Sequence, residues 1–315
     1  MADAIEIREA HSDEIGAIVA LAGRALGWDP AEPNRALFEW KHLQNPFGPS
    51  ALLVAVDGGE LVGLRALMRW EFSRGDGPVR AVRPVDTATH PDHQGRGIFR
   101  RLTEHAIEVE SAEGVAFAFN TPNQQSRPGY LRMGWQEAGR VPTRIRPLGV
   151  RAPLRIIRAR RPAEKWSLPT PGGDDPVTTF TDDFVEHLAG GANPDGRLAT
   201  VRHGSFLRWR YGLGPLHYRA VSNDDAVVVF RRRRRGAAIE LAITDLLARN
   251  TSAEREVLRQ LRSNAEADYA LAAGEPVPGM IRLLGQGPVL TSRRLAAVAP
   301  SLDDLCLRLG DIELF

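Results

Sequence analysis

At 315 residues the chain is too long for one small domain and long enough for two units, each able to bury a core of its own. Its composition, 43% hydrophobic and 25% charged, is that of an ordinary globular protein; with no apolar run of membrane-spanning length and no signal-peptide shape at the start, the expectation is a cytoplasmic protein. The formal charge is only +2 and nearly all the cations are arginine, which lifts the pI to about 9.0 without creating a strong field at neutral pH, so net charge implies neither a nucleic acid nor a membrane as partner.

Residues 4–10 alternate as a first strand, and Ser12, Asp13 and Glu14 open a helix carrying Ile15, Ile18, Val19, Ala22 and Leu26. Pro30 and Pro33 punctuate the chain before a second helix over 34–44, which Asn45 and Pro46 end. Strands are predicted at 52–56 and 61–70, joined by the hairpin signal Asp57, Gly58, Gly59. A Gly-rich turn at 74–78 leads into a strand over 79–89. Gly95 and Gly97 then let the backbone turn so that successive N–H groups point inward at the start of a helix, which is an anion cradle. Ile98, Phe99, Leu102, Ala106 and Val109 recur at helical spacing and pin that helix to a core. Gly114 stops it, and 115–119 reads as a short apolar strand.

No Gly-Lys pair follows the cradle and no third glycine lies downstream, so neither a Walker loop nor a dinucleotide fingerprint fits. Gln94, Gly95, Arg96, Gly97, Ile98 and Phe99 instead resemble the acyl-CoA loop of the GNAT superfamily of N-acyltransferases, whose pattern is Gln/Arg-x-x-Gly-x-Gly/Ala. Phe99 departs, since the family usually has a small residue there, and is expected to turn into the core. Asn123, Tyr130 and the pair Gly134, Trp135 also fall on positions that the family occupies after the next strand. The resemblance implies an α/β protein of the GNAT fold with a mixed sheet.

Three segments are expected: a GNAT catalytic domain over 1–146, an Arg- and Pro-rich crossover over 147–176, and a second, degenerate GNAT-like domain over 177–315. The basis for the last is a shared order of helix, proline, strand, turn and strand: Phe206, Trp209, Arg210 and Tyr211 before Pro215 parallel Phe38, Trp40, Lys41 and His42 before Pro46. Residues 239–245 then stand where the cofactor strand would be and 253–266 where its helix would be, but 246–250 contains no glycine, so no cradle is expected. Residues 231–235 are five consecutive arginines. They end a strand, lack interleaved aromatics and alternate faces, so pairing with acids such as Glu240 is expected over binding nucleic acid. Cys306 stands alone and is expected to be a core residue; no metal site is expected.

The resemblance implies an N-acetyltransferase in which a primary amine, on a small molecule or a peptide, attacks acetyl-CoA directly in a ternary complex. Main-chain groups of Thr87, Ala88 and Thr89 would meet the thioester. The loop from Gln94 to Phe99 would hold the pyrophosphate, and Asn123 and Ser126 the coenzyme A arm. Tyr130 is the implied general acid: a phenol's ordinary pKa of about 10 lies above a thiol's of about 8.5, so protonating the departing thiolate is only mildly uphill. Asp86 is either a carboxylate base or a structural hydrogen-bonding group. His90 and His93 at the loop entrance read as solvated residues, and Trp28, Trp40 and Trp70 as core or acceptor walls. Transfer of longer acyl or aminoacyl groups, an acyl-CoA sensor without turnover, and a homodimer are the alternatives in play.

Overall fold

Gly63 sits under the first turn of the helix that follows the Gly loop, where a Cβ would come within 2.6 Å of Ile98 and 2.9 Å of Leu102. That close approach sets the geometry of the first unit. The structure, a computed structural model, describes residues 5–29, 31–149, 152, 155, 162–189, 195–263, 265–297 and 299–313. It divides into two compact units, Met1–Phe72 with Gly77–Gly139 and Val289–Ser301, and Ser73–Asp76 with Arg140–Pro288 and Leu302–Phe315.

The first unit runs β1 (Glu6–Glu9), α1 (Ile15–Leu26), α2 (Asn34–Leu43), β2 (Ala51–Asp57), β3 (Glu60–Ser73), β4 (Pro78–Thr89), α3 (Ile98–Ala112), β5 (Phe117–Asn120), α4 (Arg127–Arg132) and β6 (Gln136–Arg140). Its sheet has the order β1-β2-β3-β4-β5, then the strand Val289–Arg294, then β6. β1 with β2 and β2 with β3 pair antiparallel, whereas β4 and β5 are parallel with α3 as the crossover. Alternation along the strands gives the sheet two apolar faces. Leu53, Ala55, Leu67, Ile98, Leu102, Tyr130 and Trp135 pack together on one; Ile18, Leu21, Phe38, Val54, Leu64 and Ala88 pack on the other. Trp40 and Trp70 are buried at 3% and 1% exposure, so they are core residues.

The second unit contains β7 (Thr143–Pro147), α5 (Asp182–Ala189), β8 (Leu198–Thr200), α6 (Gly204–Tyr211), β9 (Arg219–Asn223), β10 (Ala226–Arg235), β11 (Ala238–Ala248), α7 (Thr251–Ser263), β12 (Tyr269–Ala273), β13 (Ile281–Leu283), β15 (Leu305–Cys306) and a turn of helix, α8 (Leu309–Ile312); the first unit's strand Val289–Arg294, here β14, lies between β13 and β15 in the chain. Its sheet has the order β13-β7-β12-β11-β10-β9, with β11 and β12 parallel across α7. The expected α/β fold with mixed sheets is therefore present, in two compact units. The compact units differ from the boundaries at 146 and 177: β7 pairs in the second sheet and β14 in the first. Of the expected crossover over 147–176, residues 150, 151, 153, 154 and 156–161 lie outside the described residues.

The arginine run is spent on internal pairs. Arg231 donates to Glu313 at 2.7 Å, Arg232 to Glu266 at 3.2 Å and Arg233 to Glu240 at 3.0 Å, while Arg234 is exposed. Strand alternation carries Arg231 and Arg233 to one carboxylate, Glu313, which both side chains contact. Cys306 is half-buried, and burial raises its pKa. Among the described residues no helix is long and apolar enough to cross a membrane, and no group of His, Cys, Asp and Glu could hold a metal ion.

Because Ile98 and Leu102 fill the space above Gly63, Gly63→Val should lower stability by about 1–3 kcal/mol, read as a lower urea midpoint with an unchanged slope.

Candidate active site

The Gly loop is built as the spacing requires. A short turn at Pro91–His93 follows β4, then Gly95 and Gly97 adopt φ of +77° and +75°, and α3 begins at Ile98. Both left-handed conformations favour glycine, which has no Cβ to clash. Buried Ile98, Leu102 and Ala106 fix the helix behind the loop. Arg96 donates to Asp57 at 2.6 Å, which ties the loop to the end of β2. The main-chain N–H groups of Gly95, Arg96, Gly97, Ile98 and Phe99 have no protein acceptor among the described residues. These donors lie at the positive end of a 15-residue helix, the arrangement that fits a phosphate or pyrophosphate. Phe99 turns away from them: its ring packs edge-on to Tyr130 at 5.6 Å and would meet a Cβ on Gly129 at 3.0 Å.

The strand before the loop parts from its neighbour. β4 and β5 pair at Ala81 with Phe117 and at Val82 with Ala118, and β4 then runs on to Thr89 without further pairing to β5 among the described residues. Thr87, Ala88 and Thr89 lie on this diverging segment, and Asp86 at its start takes φ of +44°, an unusual conformation for a residue with a side chain. Thr87 faces the α3 and α4 side, where its hydroxyl accepts from Arg65. Asp86 and Ala88 face the α1 and α2 side.

Tyr130, on α4, is 4% exposed and stacks edge-on to Trp135 at 5.1 Å. Its phenol oxygen accepts a hydrogen bond from Arg65 Nη1 at 2.9 Å. Asn123 and Ser126 form the start of α4: Asn123 Oδ1 accepts from the main-chain N–H groups of Gln125 and Ser126 at 3.0 and 2.8 Å and from Ser126 Oγ at 3.0 Å. That bonding places Tyr130 one helical turn beyond the cap. His90 caps its own turn by accepting from Asp92 N at 3.3 Å, and His93 lies 3.4 Å from Asp57, so both stabilise the loop entrance.

Asp86 is buried between a lysine and a histidine that sequence reading did not connect to it. Lys41 Nζ lies 2.6 Å from Asp86 Oδ2, and His42 Nε2 lies 2.8 Å from the same oxygen, with Ser50 Oγ 2.8 Å from His42 Nδ1. Burial alone would raise the Asp86 pKa, but the Lys41 charge and the His42 hydrogen bond override it and hold the carboxyl well below its usual range. Burial also pushes the His42 pKa down, so the imidazole is neutral. Ionised Asp86 then requires the proton on Nε2, and Ser50 donates to Nδ1. Both of these partners, Lys41 and His42, meet the same carboxylate oxygen of Asp86, Oδ2. In the structural reading of Asp86 its partners are side chains of α2 and not a neighbouring backbone.

The fold of the first unit and its open N–H cradle resemble those of a GNAT domain. Residues 6–138 match the family model described as an acetyltransferase (GNAT) domain, so the chain carries such a domain. Among solved structures, a GCN5-related N-acetyltransferase from Anabaena variabilis shares 12% identity with a TM-score of 0.67, covering 93% of this chain and 73% of that one. A GCN5-related N-acetyltransferase from Kribbella flavida shares 16% identity with a TM-score of 0.67, covering 94% and 72%. Eis1 from Mycobacterium abscessus shares 17% identity with a TM-score of 0.59, covering 93% and 74%. At these identities the likeness is one of fold. A comparison with characterised protein sequences found no match.

The buried cluster makes stability sensitive to acid. His42 is depressed from an ordinary value of 6.5, so below that value the unfolded chain binds a proton that the folded chain refuses. Its contribution is complete above pH 6.5 and is lost as pH falls toward the folded value; Asp86, depressed from 3.8, adds a further loss below that. The urea midpoint should fall between pH 7 and pH 5 with a slope of at most about 1.4 kcal/mol per pH unit, and His42→Gln should flatten that limb.

Proposed function

We propose that the first unit transfers an acetyl group from acetyl-CoA to a primary amine by direct attack in a ternary complex, without a metal. The observation that carries this reading is the set of main-chain N–H groups from Gly95 to Phe99 that no protein group accepts, placed at the start of α3 beside the point where β4 leaves β5. Those amides would hold the pyrophosphate. The diverging segment from Thr87 to Thr89 would offer main-chain donors to the thioester carbonyl, where charge builds as the tetrahedral intermediate forms. Asn123 and Ser126 lie at the start of the helix that carries Tyr130, on the side assigned to the coenzyme A arm.

In the proposed reaction the amine nitrogen attacks the carbonyl carbon, the C–S bond breaks with its electron pair on sulfur, and Tyr130 gives its phenol proton to that sulfur. The proton lost by the nitrogen goes to solvent. Asp86 is assigned a positioning role, because its charge is already committed to Lys41 and His42.

The second unit is assigned no acyl-CoA site. Its parallel pair β11 and β12 also separates, after Glu240–Tyr269, Leu241–Ala270 and Ala242–Leu271, but the gap holds the chain's own last turn. Gly310 approaches Thr244 so closely that a Cβ would lie 3.0 Å from its carbonyl oxygen, and Glu275 N donates to Leu307 O at 2.7 Å.

Calorimetry with acetyl-CoA and longer acyl-CoAs, followed by thiol release against a panel of amines, tests the reading. Acetyl-CoA should bind, an amine should accelerate thiol release, and Tyr130→Phe should lower kcat about 100-fold with little change in binding. No affinity for any acyl-CoA, or unchanged turnover in Tyr130→Phe, overturns it.

A further inference from the structure

Arg65 is a buried cation with no anion beside it. It lies in β3, opposite Leu53 of β2, in a run otherwise made of apolar residues, and its side chain is 0% exposed. No carboxylate lies within salt-bridge distance of it among the described residues. Its Nη1 donates to Thr87 on β4 and to Tyr130 on α4, while Nε and Nη2 have no hydrogen-bond acceptor. The guanidinium carbon stands 5.2 Å from the ring centre of Tyr130 and 5.6 Å from that of Phe99, so aromatic faces supply part of its environment. A guanidinium left without a counter-charge in an apolar interior is costly, and negative charge arriving beside it would offset that cost.

A phenol oxygen has one proton and two lone pairs. At Tyr130 the Arg65 N–H occupies a lone pair, and no protein acceptor among the described residues takes the phenol's own proton. That proton is therefore available to a group outside the chain. By holding Thr87 and Tyr130 at once, Arg65 also fixes the distance between the thioester's proposed carbonyl donors and the proton donor for its sulfur.

We propose that Arg65 is a positioning residue for thiolate departure: it orients the Tyr130 proton toward the leaving sulfur and balances the charge that Tyr130 acquires on giving it up. The inference rests on the acyl-CoA reading of this site. In the step, the C–S electron pair passes to sulfur, the O–H proton of Tyr130 joins it to form the free thiol, and a phenolate remains against the guanidinium until solvent reprotonates it. Arg65 gains and loses no proton.

The test combines kinetics with binding. Arg65→Gln should lower kcat about 10- to 100-fold with KM for acetyl-CoA changed less than about threefold, and Arg65→Lys should recover part of the loss. In the Tyr130→Phe background the same substitution should cost less than about threefold, because Arg65 acts through the phenol. Binding gives a readout apart from turnover: at about pH 9, where a thiol is largely ionised, wild type should bind coenzyme A about tenfold tighter than desulfo-coenzyme A, and Arg65→Gln should shrink that preference to about twofold. Equal weakening of both ligands, or a full additional loss of kcat in the Tyr130→Phe background, would show a merely structural arginine and overturn the proposal. If Arg65→Gln does not fold, Arg65→Lys carries the same comparison: a lowered kcat together with a reduced preference for coenzyme A over desulfo-coenzyme A counts for the proposal, and an unchanged kcat or an equal loss on both ligands counts against it. Wild type that binds no coenzyme A would instead overturn the acyl-CoA reading, and this inference with it.

Discussion

A carboxylate held in a left-handed backbone by a buried lysine and a buried histidine ties the diverging end of β4 to α2. Left-handed φ costs a residue with a side chain on the order of 1 kcal/mol, so Asp86 needs neighbours that over-determine it. Lys41 and His42 do so from consecutive positions of α2, and Ser50 closes the chain of hydrogen bonds. The net stability of such a buried pair is small, because desolvation offsets the attraction. Its value lies in specificity: any other packing of α2 on the sheet leaves an unpaired charge in the interior. The second unit repeats the device with different chemistry. Tyr211, at the place on its helix that His42 holds on α2, donates to Asp245 on β11 at 3.0 Å, and Arg202 supplies the positive charge at 2.9 Å. A carboxylate anchored to the preceding helix in both units, one with a Gly cradle and one without, belongs to the architecture and not to the chemistry.

The alternation of β4 then separates two tasks. Asp86 and Ala88 look toward α1 and α2, where charge is fully compensated. Thr87 looks the other way, toward Arg65 and Tyr130, where a cation has no counter-charge. One strand thus carries a saturated, structural electrostatic cluster on one face and an unsaturated one on the other, separated by the thickness of a single backbone. Only the unsaturated face has electrostatic capacity left for a reaction that creates negative charge.

Much of this was legible in the sequence wherever the signal was local. The Gly95 and Gly97 turn, the helical stripe behind it, the hairpin at Asp57 and the position of Tyr130 each depend on residues within a few turns of one another. The pairing of the arginine run was also readable, because strand period and a nearby Glu240 fix it. What escaped were contacts that only the fold creates: Arg65 meets Tyr130 across 65 positions, and His42 meets Asp86 across 44. A signal existed for the first, since a lone arginine inside the apolar run of β3 has no solvent to face. Lys41, one of the chain's few lysines, and His42 at the end of an amphipathic helix read as ordinary surface residues until the sheet covers them. The unit boundaries escaped for the same reason, because strand order in a sheet is not a property of neighbouring residues.

The strand β14 belongs by position to the end of the chain and by pairing to its beginning. It bonds to β5 through Thr291–Asn120 and Ser292–Phe119, and Thr291 also donates its hydroxyl to Asn120. As the polypeptide leaves the ribosome, β5 therefore emerges about 170 residues before the strand that covers its open edge. The nascent first unit must wait, with an exposed template for mispairing, while most of the second unit, Arg140–Pro288, is synthesised. A polypeptide that stops before Val289 therefore carries every residue of the Gly loop and Tyr130 and still lacks the strand that pairs with β5.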